Sequence, residues 1–226
     1  MKAPSAELSR RLNNYVRRSN GKLYAPVPHP AFADIPAKHG PKRFDLIAPH
    51  LEFKNGTVLD IGSNFGYMAH RLEELGYRVT AVEQSPGKAY FLRELRDLCE
   101  RRFEVVQDSV FNLEKPNYDI VFALNIFHHF MKTRESFEQL EQFLASLKCR
   151  MMIYQAHNHD EPQMAGAYNN LRPDEAARFI SERLSLPRIE EIGSYRKERK
   201  LFNVTVPRLL EVYSYRTRRQ IFKLSK

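Results

Sequence analysis

Val58-Leu59-Asp60-Ile61-Gly62-Ser63-Asn64-Phe65-Gly66 reads as a buried strand that ends in an acid and turns through two glycines into a helix. Glycine lets backbone approach a ligand closely, and the free N–H groups at a helix start favour its polar and anionic parts. A dinucleotide fingerprint would read GxGxxG, with no acid inside it. Here the spacing is DxGxxxG, so the turn is suited to a different ligand.

Outward from this turn the pattern alternates strand and helix. Downstream, Phe65, Met68, Leu72 and Leu75 share one side of a helix over 65–75, and Gly76 is placed to cap it. A strand over 78–82, a helix through Ala89, Phe91, Leu92 and Leu95, and a strand over 103–106 follow. Residues 119–124 are apolar almost without break, as a parallel strand covered on both faces must be. A capping box from Ser136 to Gln139 predicts the start of a helix carrying Phe137, Leu140, Leu144 and Leu147, and a strand over 150–154 completes a fifth repeat. Pro173 suits the first turn of a helix with Ala176, Phe179, Ile180 and Leu184. Two late stretches, 201–206 and 209–213, joined at Pro207-Arg208, read as an antiparallel pair at the sheet edge. Five repeats and this pair predict a doubly wound, mostly parallel seven-stranded α/β sheet, with ligands at the carboxyl ends of the strands.

Upstream, Phe44, Ile47, Ala48 and Leu51 mark a short helix, and Asn55-Gly56 a turn. Leu8, Leu12, Tyr15 and Val16 fall on one face of an opening helix whose other faces carry Arg10, Arg11, Arg17 and Arg18. Residues 21–41 hold Pro26, Pro28, Pro30, Pro36 and Pro41, which argues for a loop that orders on contact and is suited to lid a pocket. The expected division is a basic helix and Pro-rich loop over 1–40, then one α/β domain over 41–226.

The 226 residues suffice for one sizeable core. The net charge of +9 sits at the ends: ten Lys/Arg face Glu198 and Glu211 over 194–226, and six face Glu7 over 1–24. Such ends suit an anionic partner, whether RNA, a phosphorylated glycan or a membrane surface, and equally a merely soluble surface. Cys99 and Cys149 lie far apart with no CxxC or Cys/His cluster, so neither a disulfide framework nor a metal site is expected. With no apolar run of membrane-spanning length and no secretory leader pattern, a cytoplasmic location is expected and no transmembrane segment; the oligomeric state is not legible.

Polar residues recur at successive strand ends. Glu83-Gln84 closes the second strand about twenty residues beyond the turn, where an acid can accept both hydroxyls of a ribose. Asp108-Ser109 follows the third, and Asn125-Ile126-Phe127-His128-His129 the fourth. Histidines near neutral pH can act as base, donor or cation. Taken singly, each is as readily a loop acid or a packed histidine; their ordered recurrence argues against coincidence.

Over residues 42–156 this set resembles the class I S-adenosylmethionine (SAM) dependent methyltransferases, whose motif I the DxGxxxG turn matches, with Asn64 at the middle glycine position of the commoner form. The resemblance implies SAM as cofactor, with Asp60, Gly62, Ser63, Asn64 and Gly66 along its methionine part, Glu83 and Gln84 at the ribose, Asp108 and Ser109 at the adenine, and Asn125 nearby. It places His128 and His129 at the methyl-transfer end, with Tyr24, Arg43, Gln155, His157 and Asn158 as candidate acceptor contacts. More narrowly, DIGSNFGY, VTAVEQS and ALNIFHHF resemble a bacterial group that includes the methyltransferase half of O-antigen chain-terminating enzymes, which methylate a glycan-end phosphate; no kinase-like half is present in these residues. The tRNA wobble-uridine methyltransferases also carry a paired histidine there. The expected function is O-methylation of a small-molecule or glycan-linked hydroxyl, phosphate or carboxylate. The alternatives are RNA methylation, with Arg196, Lys197, Arg199, Lys200, Arg216, Arg218 and Arg219 on phosphates, and a non-catalytic SAM- or RNA-binding module.

Overall fold

The computed structural model describes residues 2–114, 116–195 and 199–206. Seven strands make one sheet: β1 (Thr57–Ile61), β2 (Arg78–Val82), β3 (Glu104–Val106), β4 (Asn117–Leu124), β5 (Lys148–Gln155), β6 (Arg188–Tyr195) and β7 (Arg199–Thr205), in the order β3-β2-β1-β4-β5-β7-β6. The first five pair in parallel, and β7 runs antiparallel to both β5 and β6. Between β1 and β4 the winding reverses, which opens a crevice at their carboxyl ends.

Period-two alternation divides the core between the two faces of the sheet. Leu59, Ile61, Val121, Ala123, Met152 and Tyr154 enter one cluster, closed by α6 (Arg134–Ser146) and α7 (Pro173–Leu184). Val58, Ile120, Phe122, Met151 and Ile153 enter the other, closed by α2 (Lys42–Ile47) and α3 (Tyr67–Glu74), with Leu92 of α4 (Pro86–Leu98). Both faces are thus covered over residues 58–59 of β1 and 120–123 of β4, which is why those stretches are apolar. The short α5 (Phe127–Phe130) follows β4 directly.

The opening helix, α1 (Ala6–Arg18), buries Leu8 and Leu12 against Phe91, Leu95 and Leu98 of α4, and Tyr15 packs on Phe65 with ring centroids 4.9 Å apart. Its apolar stripe therefore holds down the residue next to Asn64 in the turn after β1. The Pro-rich segment that follows contains a single bridge, Leu23 to Ala37, and a 3₁₀ turn at Pro30–Phe32.

Two expectations are corrected. The helix predicted to start at Ser136 begins a turn earlier: Thr133 is its N-cap, its hydroxyl accepting from Ser136 N–H at 3.2 Å, while the Ser136 hydroxyl donates to the Phe130 carbonyl. The antiparallel edge pair exists, with β7 paired to β6; residues 209–213, expected as its partner, lie outside the described residues. The strand β6 escaped notice because it is an edge strand whose Ile-Glu-Glu-Ile pattern is bent by a bulge between Glu191 and Gly193.

Gly66 is the N-cap of α3 at φ +84°, and a Cβ there would meet the buried Leu92 Cδ1 at 2.5 Å. Both the left-handed backbone and the overpacking penalise a side chain. Gly66→Ala should lose about 2 kcal/mol or more in urea denaturation; a midpoint within error of the parent would contradict this packing.

Candidate active site at the carboxyl ends of the strands

The turn after β1 is fastened to the end of β2. Gly62 N–H and Ser63 N–H both donate to the Val82 carbonyl, at 2.9 and 3.0 Å. Glu83 then binds backbone on both sides, Oε2 accepting from Asn64 N–H at 3.0 Å and Oε1 from Ser85 N–H at 2.9 Å. Asn64 has φ +57°, so it supplies the left-handed conformation that glycine supplies in the commoner form of this turn. Gly62, at φ +71°, lies so close to Ile126 that a Cβ would meet its Cδ1 at 2.9 Å.

A cavity of about 430 Å³ opens beside this turn, a volume within the range of small-molecule sites. Gly62, Asn64, Glu83, Gln84, Asp108, Asn125, His128 and His129 line it, with Tyr24 reaching in from the N-terminal segment. A smaller recess behind it is lined by Asp60, Ser63, Arg43 and Tyr24. Within that recess Asp60 Oδ2 and Arg43 Nε are both buried without a hydrogen-bond partner. One needs a donor and the other an acceptor, a demand that the zwitterionic amino-acid end of SAM satisfies on both counts. Burial pushes the Asp60 carboxyl up to about 6, against the opposing pull of the neighbouring Ser63 and Arg43.

Other residues named from the sequence stand further back. Gly66 shapes the turn without lining the cavity, and Ser109 caps the 3₁₀ turn at Val110–Asn112 by accepting from Phe111 N–H. Gln155 is buried at the end of β5, its Oε1 accepting from Arg43 Nη1 at 3.2 Å. His157 is buried behind His128, ring centroids 5.7 Å apart, with Nε2 against Asn170 Oδ1 at 2.9 Å. Asn158 lines a separate open groove with Asp160, Arg172 and Lys200, and is not brought into the cavity.

The two adjacent histidines differ. His128 is buried, and desolvation together with the charges of His129, His157 and Arg199 pushes its imidazole down to about 3. His129 sits on the exposed rim, its pKa also lowered, first by desolvation and then by Lys132 and Lys88. Both rings are therefore neutral at pH 7, with a lone pair to offer.

Sequence reasoning missed the cavity's basic wall. Lys38, Lys88, Gln163 and Arg199 line it, and Arg199 is held by Glu161, Nε to Oε1 at 2.7 Å. No local pattern joins Arg199 to Glu161, which lies in the loop after β5. Of the cations expected to hold RNA phosphates, Arg199 is thus turned inward, and Lys200 pairs with Asp174 and Glu191; Arg196, Lys197, Arg216, Arg218 and Arg219 lie outside the described residues.

Residues 59–149 match the family model described as a methyltransferase domain. No curated protein matches the sequence. Among solved structures, the chain is similar to monomeric WbdD at 20% identity and a TM-score of 0.67, covering 85% of this chain and 48% of that one. A second WbdD structure, described as a bifunctional kinase-methyltransferase, matches at 19% identity over 85% of this chain and 45% of that one, with the same TM-score, 0.67. The chain thus spans just under half the length of these relatives. It is also similar to magnesium protoporphyrin IX methyltransferase (ChlM) from Synechocystis PCC 6803 with bound SAM, at 11% identity and a TM-score of 0.55 over 92% of this chain and 87% of that one. Sheet order, turn geometry and sequence match converge: the chain has the class I methyltransferase fold, and its residues 59–149 match a methyltransferase domain.

Proposed function

We propose that this protein methylates oxygen, on a small-molecule or glycan-linked hydroxyl, phosphate or carboxylate. The observation that supports this reading is the pair of neutral histidines, His128 and His129, on the cavity that begins at the DxGxxxG turn. SAM, when bound, supplies a methyl group already activated on a sulfonium.

What remains for the chain is to bind, align and, where the acceptor is protonated, remove a proton. Asp60 and Arg43 would hold the amino-acid end, Glu83 the ribose hydroxyls with the second lone pairs of its oxygens, and Asp108 the adenine side. Its Oδ1 is already engaged by Ser109 N–H and Asn112 Nδ2. His129, on the rim, would take the proton of a hydroxyl acceptor; for an anionic acceptor the histidines would orient charge. Tyr24, whose hydroxyl lies 3.5 Å from both Arg43 Nη1 and Asn125 Nδ2, makes the 1–40 segment a lid over the recess.

An RNA acceptor ranks second. On α1, Arg10 and Arg11 both pair with Glu7, and the described C-terminal cations are paired as well. A non-catalytic SAM-binding module ranks third; retained cofactor binding with no methyl transfer to RNA, lipid or glycan fractions would favour it. Among the described residues no helix is long and apolar enough to cross a membrane, and a cytoplasmic location accompanies this proposal.

Glu83→Ala and Asp60→Ala should each weaken SAM binding in calorimetry, and unchanged affinity in both would remove the assignment. His128→Ala and His129→Ala should lower turnover by more than they lower SAM affinity; full turnover in both would rule out individually needed roles.

Asp60 generates a pH dependence of known sign. The amino group of SAM needs the carboxylate, so affinity should fall as pH drops through about 6, and Asp60→Asn should abolish that slope. Stability of the unliganded protein runs the other way. A folded pKa of about 6 against an ordinary value of 3.8 means the stabilising contribution is present below the unfolded value and lost as pH rises through 6. Asp60→Asn should therefore stabilise the unliganded protein at pH 7, by up to about 3 kcal/mol; a lowered thermal midpoint would refute the buried-charge account.

A further inference from the structure

Arg199 enters the cavity from the first residue of β7, with its side chain 18% exposed. Its guanidinium is oriented from two sides. Nε and Nη2 both reach Glu161 Oε1, at 2.7 and 2.5 Å, and Nη1 donates to Asn125 Oδ1 at 2.6 Å. Glu161 is itself fixed, because Oε1 also accepts from Asn158 N–H and Oε2 from Gln163 Nε2. A guanidinium carries five N–H groups, so these contacts leave one on each terminal nitrogen. Two donors on the terminal nitrogens of one guanidinium can meet two oxygens of one anion.

Lys38 and Lys88 line the same cavity together with the carboxylates Glu83 and Asp108, and the charge of Arg199 reaches His128 and that of Lys88 reaches His129. Glu161 already balances the Arg199 charge, so what Arg199 offers an acceptor is its remaining directed N–H donors, which an oxyanion accepts from and a lone hydroxyl uses only in part.

We propose that Arg199, aimed by Glu161 and Asn125, is the specificity-determining residue for the acceptor, and that the acceptor group is an oxyanion, a phosphate or a carboxylate. This rests on the cofactor reading above. Methyl transfer to an ionised oxygen forms one O–C bond as the C–S bond breaks with its electron pair left on sulfur. No proton has to leave the acceptor, and the buried, neutral His128 is then not required as a base.

The test is titration of the full chain, saturated with S-adenosylhomocysteine (SAH), with phenyl phosphate, benzoate and phenol, followed by calorimetry and amide NMR shifts. Phenyl phosphate or benzoate should bind and phenol should not, the two anions separating the phosphate from the carboxylate source. Arg199→Gln should weaken anion binding by about tenfold or more. Glu161→Gln should strengthen it, because it frees the guanidinium of its internal counter-charge. A merely structural pair would make both substitutions weaken binding alike, and that result would overturn the proposal, as would equal binding of phenol. If Arg199→Gln fails to fold around the orphaned Glu161, the double variant Arg199→Gln/Glu161→Gln carries no unpaired charge and should still lose the anion. Wild-type protein that binds SAH but neither anion would refute this proposal alone, while protein that does not bind SAH would refute it together with the cofactor reading.

Discussion

A single carboxylate ties the cofactor end of this protein together. Glu83 leaves the end of β2 and accepts the backbone N–H of Asn64, in the turn after β1, and that of Ser85, ahead of α4. The turn, the second strand and the start of the next helix are thereby one unit, further stitched by Gly62 and Ser63 to the Val82 carbonyl. Packing reaches the same unit from outside, since Phe65 lies under Tyr15 of α1 and Gly66 against Leu92 of α4. The carboxylate that accepts from these two backbone amides also lines the cavity.

Asp60 is the counterpart of this arrangement, a buried charge that the unliganded fold does not satisfy. Placing it at the end of a strand covered on both faces removes water from one oxygen, and the Arg43 charge nearby only partly offsets that. The strain is local to the recess, where Arg43 Nε is also unpaired. The two deficits are complementary, an acceptor and a donor lining one recess, which is the chemistry that an amino-acid zwitterion would satisfy.

The cofactor half was legible because each of its parts is local in sequence. Polar residues after successive apolar stretches mark the carboxyl ends of the strands, and Glu83, Asp108 and His128 line the cavity there. Even the departure at Asn64 has a local reading, since asparagine is among the few residues that accept φ +57°. What failed was non-local. The cap of α6 was displaced because Thr133-x-x-Ser136 lacks the acidic or amide partner that makes a box recognisable. The strand β6 has one free edge and a bulge, so its alternation is weak, and Arg199 looked like surface charge because nothing near it in sequence shows that Glu161 faces it.

This contrast in legibility follows from how the two halves are built. The cofactor end is made by consecutive strand ends whose spacing the sheet itself dictates, so its residues recur in order. The opposite end is assembled from Tyr24 in the N-terminal segment, Asn125 after β4, Glu161 and Gln163 in the loop after β5, and Arg199 on β7. These pieces meet only because β7 inserts between β5 and β6, which carries its first residue past the end of β5 to the rim of the crevice. Side chains on such unrelated segments can change without disturbing the sheet, whereas Glu83 cannot change without releasing the turn. The same fold therefore recurs at 20% identity or below, and the motif that reveals the fold does not by itself name an acceptor.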